Sequence, residues 1–348
     1  MENLTHTLAG VLIARAGLEK RSSLALPALV VAANLPDIDV FSGVLGRDYL
    51  DVHRGVTHGV LGIPALAAVW TAALWGWSRF RRRDVAFVPL LGVVFVGLLS
   101  HPLLDLLNDY GIRPWLPFGG RKYYGDLVGV VDPWVWAIVG AGCASSARSP
   151  RARWGWLALG ALLTALIVLG ASPIVALWWW PLTVLLVVAG RRRLARGASP
   201  SRAALVVFFA YLAAVAIGRE RVRASAMDWM PRQTSGPVRK LDVLPMIGRG
   251  PRCWRVIAET DDAFYLADDV WLRDPDRIDT FLKNLDQPCY ARALADPHMA
   301  AMARFARFPS VDVRREENRC TVFLRDLRYA RQSTPGWGVA VATVRAPR

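Results

Sequence analysis

Histidine and aspartate residues with the chemistry of metal ligands are concentrated in the first third of the sequence. Four of the five histidines occur within the first 101 of the 348 residues, close to the ends of apolar segments. Ionisable side chains in or beside membrane segments are costly, so they usually face the interior of a helical bundle and have partners there. The predicted metal ligands are His6, Asp37, Asp39, His53, His58, His101 and Asp105.

The segment 100–109 carries the most specific pattern. It places His101, Asp105 and Asp109 at positions i, i+4 and i+8, which lie on one stripe of a helix. An imidazole and a carboxylate one turn apart can be offered to a single metal ion. Asp109 either belongs to this group or marks the end of the helix, because Tyr110 and Gly111 follow it.

Residues 53–58, with the sequence His-Arg-Gly-Val-Thr-His, lead into an apolar segment. Two side chains five residues apart do not align on one regular helix. We therefore expect His53 in the approach loop and His58 in the first helical turn. Arg54, between them, is expected to bind an anionic group of a substrate or a developing oxyanion.

Structural roles are open alternatives for several of these residues. Taken alone, His6 is better explained as a satisfied histidine at the membrane interface. Pro36 interrupts a helix, and Asp37 and Asp39 point to the same side if their segment is extended. Turn or cap chemistry explains the two aspartates equally well. Asp132 is expected to cap the following helix.

A divalent cation is the simplest group that neutralises crowded carboxylates. Mixed imidazole and carboxylate ligands suit zinc, with manganese or iron as alternatives, better than calcium. The set is large enough for one or two ions, and a two-metal site would activate water and stabilise the leaving oxygen in phosphoester hydrolysis. Asp39 or Asp109 is the expected general base.

The elements that must position these residues are membrane helices. Hydrophobic residues make up 54% of the chain and the mean hydropathy is +0.28, which indicates extensive contact with lipid. The strong candidates are 58–78, 85–107, 131–147, 154–171, 174–190 and 203–218, and the weaker ones are 4–18 and 22–36. We therefore predict an all-α multi-pass membrane helical bundle of six to eight membrane helices over residues 1–218.

The distribution of charge predicts the orientation of this bundle. If the segments alternate, 14 of the 20 basic residues before position 219 fall on one face, which the positive-inside rule makes cytoplasmic. The histidines and most aspartates fall on the opposite, extracytoplasmic face. The net charge of +15 therefore indicates membrane topology and membrane lipid rather than nucleic acid as a partner. The sequence identifies no protein partner.

Residues 219–348 have a different composition and are predicted to form a small extracytoplasmic α+β domain. The predicted strands are 253–258, 263–266, 321–324 and 338–343, with a helix over 297–305. His298 is expected to be an ordinary residue of this domain. An oxidising compartment would permit one disulfide among Cys253, Cys289 and Cys320, and the sequence leaves the pairing open.

Four sequence elements together resemble the membrane-bound metal-dependent hydrolase family of YdjM/YbcI-like inner-membrane proteins. They are the early Thr-His at 5–6, Asn-Leu-Pro-Asp-Ile-Asp at 34–39, the 53–58 element and Ser-His-Pro-Leu-Leu-Asp at 100–105. The resemblance covers residues 1–140 well and extends to longer members with this layout. It implies a multi-pass inner-membrane protein whose seven candidate ligands form a hydrolase centre.

The resemblance and the residues lead to two function hypotheses. The first is a metal-dependent hydrolase at the outer face of the cytoplasmic membrane. A more distant similarity to the zinc phospholipase C and P1-type nuclease group suggests a phosphoester or lipid-linked substrate. The alternative is a metal-stabilised membrane scaffold that binds a partner without catalysis. A transporter is disfavoured, because acidic residues do not line the later predicted spans.

Overall fold

The structure is a computed structural model that describes residues 1–170, 173–271 and 275–346. Its helices are α1 (Asn3–Arg15), α2 (Ala25–Ala32), α3 (Tyr49–Val52), α4 (Gly62–Phe80), α5 (Phe87–Leu106), α6 (Pro133–Ser145), α7 (Pro150–Gly170), α8 (Pro173–Ala195), α9 (Pro200–Trp229), α10 (Pro288–Ala293) and α11 (Pro297–Phe305). Short 3-10 helices occupy Leu18–Lys20, Leu35–Leu45, Val56–His58 and Met230–Arg232. The chain is mostly helical, and its strands all lie in the C-terminal part.

The chain forms two compact units, and each unit is built from three separate segments. The first unit consists of Met1–Asp39, Arg54–Gly218 and Pro245–Cys253. The second unit consists of Val40–His53, Arg219–Leu244 and Trp254–Arg348.

Three to five candidate membrane spans are present among the described residues. Three helical segments are long and apolar enough to cross a bilayer on their own: Phe87–Leu106, Pro150–Leu169 and Pro200–Arg232. Two bent pairs would each add one span: Ala25–Ala32 with Leu35–Leu45, and Tyr49–His58 with Gly62–Phe80. The expectation of a membrane protein is thus supported, and the higher number of six to eight spans stays a prediction.

Helix lengths explain part of this difference in number. α6 has 13 residues, or about 20 Å, which is short of the bilayer's hydrocarbon thickness of about 30 Å. Residue 171, the last of the predicted span 154–171, lies outside the described residues. The last predicted span ends at 218, whereas α9 continues as one helix to Trp229.

Glycines allow α1 and α5 to pack closely against α2 in the first unit. A Cβ atom at Gly10 would lie 2.9 Å from the carbonyl oxygen of Leu29, and one at Gly97 would lie 2.9 Å from the Cβ of Ala32. Leu29 and Ala32 are fully buried. These close approaches hold the C-terminal end of α2 against α5, next to His101.

The second half of the first unit packs around α6. Asp132 caps this helix as predicted, because its Oδ1 accepts hydrogen bonds from the backbone N–H groups of Trp134 (2.8 Å) and Val135 (3.1 Å). The indole of Trp179 in α8 is buried and donates to the Pro133 carbonyl at 2.7 Å. This bond fixes α8 against the N-terminal end of α6.

The second unit contains two sheets. The strands β1 (Lys240–Pro245), β2 (Trp254–Glu259), β3 (Ala263–Val270) and β4 (Asp279–Leu282) form one sheet in that order, and β5 (Pro309–Glu316), β6 (Arg319–Asp326) and β7 (Val339–Arg345) form the other. The four predicted strands correspond to β2, β3, β6 and β7, and the predicted helix corresponds to α11. The sequence did not predict β1, β4 and β5.

Covalent and ionic links hold the second unit together. A disulfide joins Cys289 in α10 to Cys320 in β6, which selects one of the pairings that the sequence left open. The segment Val40–His53 is tied to α11 by two ion pairs. His298 Nδ1 lies 2.6 Å from Asp48 Oδ2, and Arg304 Nη2 lies 2.6 Å from Asp51 Oδ2.

Candidate metal centre

Three elements of the first unit bring four predicted ligands together. Asp37 comes from the 3-10 segment after α2, and His58 ends the short 3-10 turn before α4. His101 and Asp105 lie one turn apart on α5, as the i, i+4 spacing predicts. The two histidines and Asp105 are buried with no exposed side-chain surface, while the Asp37 side chain is 12% exposed.

One ligand atom of each residue faces a common point. The Nε2 atoms of His58 and His101 are 3.1 Å apart. Asp37 Oδ1 lies 3.3 Å and 3.2 Å from these two nitrogens, and Asp105 Oδ2 lies 3.5 Å and 3.3 Å from them. Ligand atoms bound tetrahedrally at zinc distances are about 3.3 Å apart. We call these four residues the metal cluster.

Hydrogen bonds on the outer side of each imidazole determine what it presents to the metal cluster. His101 Nδ1 lies 2.7 Å from the Ala33 carbonyl oxygen, which can only accept, so this nitrogen carries the proton. His58 Nδ1 lies 3.0 Å from the Thr57 hydroxyl, which itself donates to Asp39 at 3.0 Å. Both Nε2 atoms therefore present lone pairs.

In the metal cluster, two imidazole lone pairs thus face two carboxylate oxygens. Asp105 Oδ2 is buried and receives no hydrogen bond from any residue that the structure describes. Buried acceptors that face one another are unfavourable unless a cation lies between them. The residues present therefore fit one divalent metal ion of the zinc class.

Asp39 lies behind His58, outside the metal cluster. Its Oδ2 atom is 3.4 Å from His58 Nδ1 and accepts a hydrogen bond from the backbone N–H of Arg54 at 3.0 Å. A carboxylate on the outer nitrogen of a ligating histidine fixes the ring and increases its basicity. Asp37 and Asp39 lie in a 3-10 helix rather than in the extended segment considered from the sequence, yet a carboxylate oxygen of each lies within 4.8 Å of the other.

Arg54 is buried and engaged with protein groups rather than open to a substrate. Its guanidinium lies 2.8 Å from Asp105 Oδ1, donates to Asn108 Oδ1 at 2.9 Å and stacks 4.5 Å from the ring centre of Tyr110. The Met1 amino group also contacts Asp105 Oδ1. These contacts hold one oxygen of Asp105 and leave Oδ2 for the metal cluster. The geometry favours a positioning role for Arg54 over the predicted contact with an anionic substrate.

The other predicted site residues lie outside the metal cluster. The His6 ring stacks on His101 with centroids 3.7 Å apart, and its Nε2 is 3.4 Å from Asp105 Oδ1. Asp109 is buried just after α5. His53 belongs to the second unit, where its ring stacks on Tyr49 at 4.5 Å.

Sequence reasoning missed three groups that support the metal cluster. Asn108 is fully buried, and its Oδ1 accepts from Arg54 and from the backbone of Tyr110 at 2.9 Å. The Thr57 hydroxyl and the Ala33 carbonyl hold the two ligating histidines. Asn108 and Thr57 are polar residues inside the very segments that carry the ligands, and this position is the signal that could have identified them. A backbone carbonyl leaves no such signal.

The fold and the metal cluster define a helical membrane protein with a buried histidine–aspartate centre at the end of a candidate span. The model of the YdjM inner membrane protein family matches residues 1–174, which is half of the chain. The chain therefore belongs to this family. The matched region contains all four residues of the metal cluster. No curated protein and no solved structure shows significant similarity to the chain.

Proposed function

We propose that this protein is a membrane-bound metal-dependent hydrolase with one divalent ion, zinc in the first instance, held by Asp37, His58, His101 and Asp105. The observation that supports the proposal is the convergence of two imidazole nitrogens and two carboxylate oxygens, with nitrogen–nitrogen and nitrogen–oxygen distances of 3.1 to 3.5 Å. When bound, such an ion supplies Lewis acidity that polarises a phosphoryl oxygen and acidifies water. A second ion, for which the sequence offers His6, Asp37 and Asp39, stays a prediction.

The chain's own residues would orient the ligands and admit the substrate. Asp39 and Thr57 hold the His58 ring. Arg54 holds Asp105 and is itself held by Asn108. Asp37 is the one partly exposed member of the metal cluster, so substrate and water would approach from its side. Asp39 has contacts around His58, and the general-base role of Asp39 or Asp109 stays a prediction.

A phosphoester, and a lipid-linked one above all, is the substrate class we propose. His101 and Asp105 lie in the last two turns of α5, a candidate membrane span. The ends of a span lie near the headgroup layer of a bilayer, where phosphoesters are abundant. We place this end and the second unit on the extracytoplasmic side. The asymmetric charge distribution and the disulfide of the second unit support that placement.

Metal content of the purified protein tests the proposal. The wild type is expected to hold one ion per chain, and His101→Ala is expected to hold none after the same purification. His298→Ala is the matched control, because this histidine lies in the second unit and outside the metal cluster. Full metal content in His101→Ala would show that the metal cluster is not a metal site.

The number of ligands favours a second candidate function, a metal-stabilised scaffold. Four protein ligands close the coordination shell of zinc, as in structural sites, whereas catalytic sites keep one position open. Hydrolysis of a phosphodiester and phospholipid panel by the metal-loaded protein distinguishes the two. Retained metal in the wild type without hydrolysis of any substrate on the panel would favour the scaffold.

A further inference from the structure

A long apolar cleft lies between helices of the first unit, away from the metal cluster. It has a volume of about 410 Å³ and is lined by residues of α1, α6, α7 and α8. Aromatic and aliphatic side chains form most of its surface, among them Trp136, Trp156 and Trp179. Its size and its apolar walls are those of sites that bind small organic ligands. None of the four residues of the metal cluster lines it.

The length of the cleft matches one leaflet of a bilayer. Along α8 it is lined from Trp179 to Arg191, a separation of 12 residues that corresponds to about 18 Å of helix. Half of the hydrocarbon thickness of a bilayer is about 15 Å. An acyl chain of ordinary length therefore fits along the cleft.

Two arginines line the cleft at the end where α7 begins and α8 ends. Arg153 belongs to the first turn of α7, and Arg191 to the last turns of α8. No acidic residue lines the cleft, and neither arginine forms an ion pair with any residue in the described ranges. Arg191 Nη1 donates to the Ala147 carbonyl at 3.2 Å, which leaves the positive charge uncompensated. The cleft thus combines apolar walls with a cationic end.

We propose that this cleft binds an anionic phospholipid, with its phosphate at Arg153 and Arg191 and one acyl chain along the walls of α6, α7 and α8. Basic pockets between membrane helices on the cytoplasmic side bind anionic headgroups in this manner. The site lies on the basic face that the sequence predicts to be cytoplasmic. It is independent of the proposed hydrolase centre, and its occupant is not the substrate of that centre.

Lipid binding by the full-length protein tests the headgroup contact. We would measure the affinity for phosphatidylglycerol and for phosphatidylcholine by native mass spectrometry of detergent-purified protein. Phosphatidylglycerol is expected to bind more tightly, and Arg153→Gln with Arg191→Gln is expected to weaken it by about tenfold or more. The double variant Arg151→Gln and Arg192→Gln is the matched control, since these neighbouring arginines do not line the cleft. Equal loss in both double variants, or equal affinity for the two lipids, would overturn the proposal.

A second pair of variants tests the acyl-chain contact without changing the charge. Gly140 and Gly160 line the cleft, and an added Cβ would meet no atom within 4 Å at either position. Gly160→Leu is therefore expected to fill the cleft and abolish tight binding of phosphatidylglycerol. Gly155→Leu, on the same helix with equal space but outside the cleft, is expected to bind as the wild type does. Wild-type binding by Gly160→Leu would show that the acyl chain lies elsewhere. Unchanged metal content in all these variants separates this test from that of the hydrolase centre.

Discussion

The outer nitrogen of each imidazole decides what the inner nitrogen can do. The Ala33 carbonyl fixes the His101 ring, and Thr57 with Asp39 fixes the His58 ring, so both present lone pairs inward. Histidines without such partners would interconvert between tautomers. In the second tautomer Nε2 carries a proton and cannot bind a metal ion. At the scale of single residues, the supporting contacts are thus as important as the ligands.

Asp39→Asn tests this supporting role. The variant keeps the size of the side chain but removes the negative charge behind His58, so we expect metal affinity to fall by about 10- to 100-fold. Competition with a chelator of known affinity measures the change. Asp84→Asn, an exposed aspartate remote from the cluster in sequence, should leave the affinity unaltered. Equal metal affinities of the wild type and Asp39→Asn would show that Asp39 does not support the metal cluster.

A buried ion pair in the second unit predicts how stability depends on pH. Burial alone would raise the pKa of Asp326, but the charge and hydrogen bonds of Arg328 outweigh burial and hold this pKa below its usual value of 3.8. A lowered pKa stabilises the fold above the unfolded-state pKa, and this contribution is lost as the pH falls below about 4.

Asp326→Asn should therefore be less stable at neutral pH and less sensitive to acid. Removing one partner of a buried pair typically costs about 3–5 kcal/mol of unfolding free energy. Urea unfolding of the full-length protein at several pH values measures both effects. The exposed pair of Arg239 and Asp261 supplies the control, because Asp261→Asn should change stability little. An acid dependence that is the same in wild type and Asp326→Asn would contradict the assignment.

At the scale of elements, the contact between α2 and α5 positions His101. Gly97 faces Ala32 one turn before His101 on the same helix, so a larger residue at this position must move α5 away from α2. Gly97→Val is expected to cost about 1–3 kcal/mol through overpacking and to weaken metal binding together with stability. Thermal unfolding and metal content provide the measurements.

Gly92→Val is the matched control on the same helix. An added Cβ at Gly92 would meet no atom within 4 Å, so stability and metal content should stay close to those of the wild type. If Gly97→Val also kept its metal and its unfolding temperature, close packing would not be what positions His101.

The sequence predicts the ligand-bearing elements better than their local geometry. The i, i+4 spacing of His101 and Asp105 indicates their convergence correctly, whereas His58 lies in a 3-10 turn before α4 and not in the first turn of that helix. The 3-10 helix that carries Asp37 and Asp39 was not predictable, because the same residues are also compatible with an extended segment. The contact of Arg54 with Asn108 was not predictable either, because the two residues lie 54 positions apart in the chain. Contacts between residues so far apart in the chain produce no periodic pattern in the sequence.

At the scale of the whole molecule, the predicted orientation can be tested with two introduced cysteines. Thr334 is exposed in the second unit, and Ser149 is exposed between α6 and α7. We expect a membrane-impermeant thiol reagent to label Thr334→Cys in intact cells and Ser149→Cys only after lysis. The reverse pattern would place the second unit in the cytoplasm.

The interleaving of the two units has a consequence for recombination and protein engineering. The chain passes between the units five times, so the portion after Gly218 is not a self-contained module. Asp48 and Asp51 belong to the segment Val40–His53, yet they pair with His298 and Arg304. A graft of the C-terminal half onto another membrane protein would therefore also need to include this segment. A contiguous stretch of the gene therefore does not encode one complete compact unit.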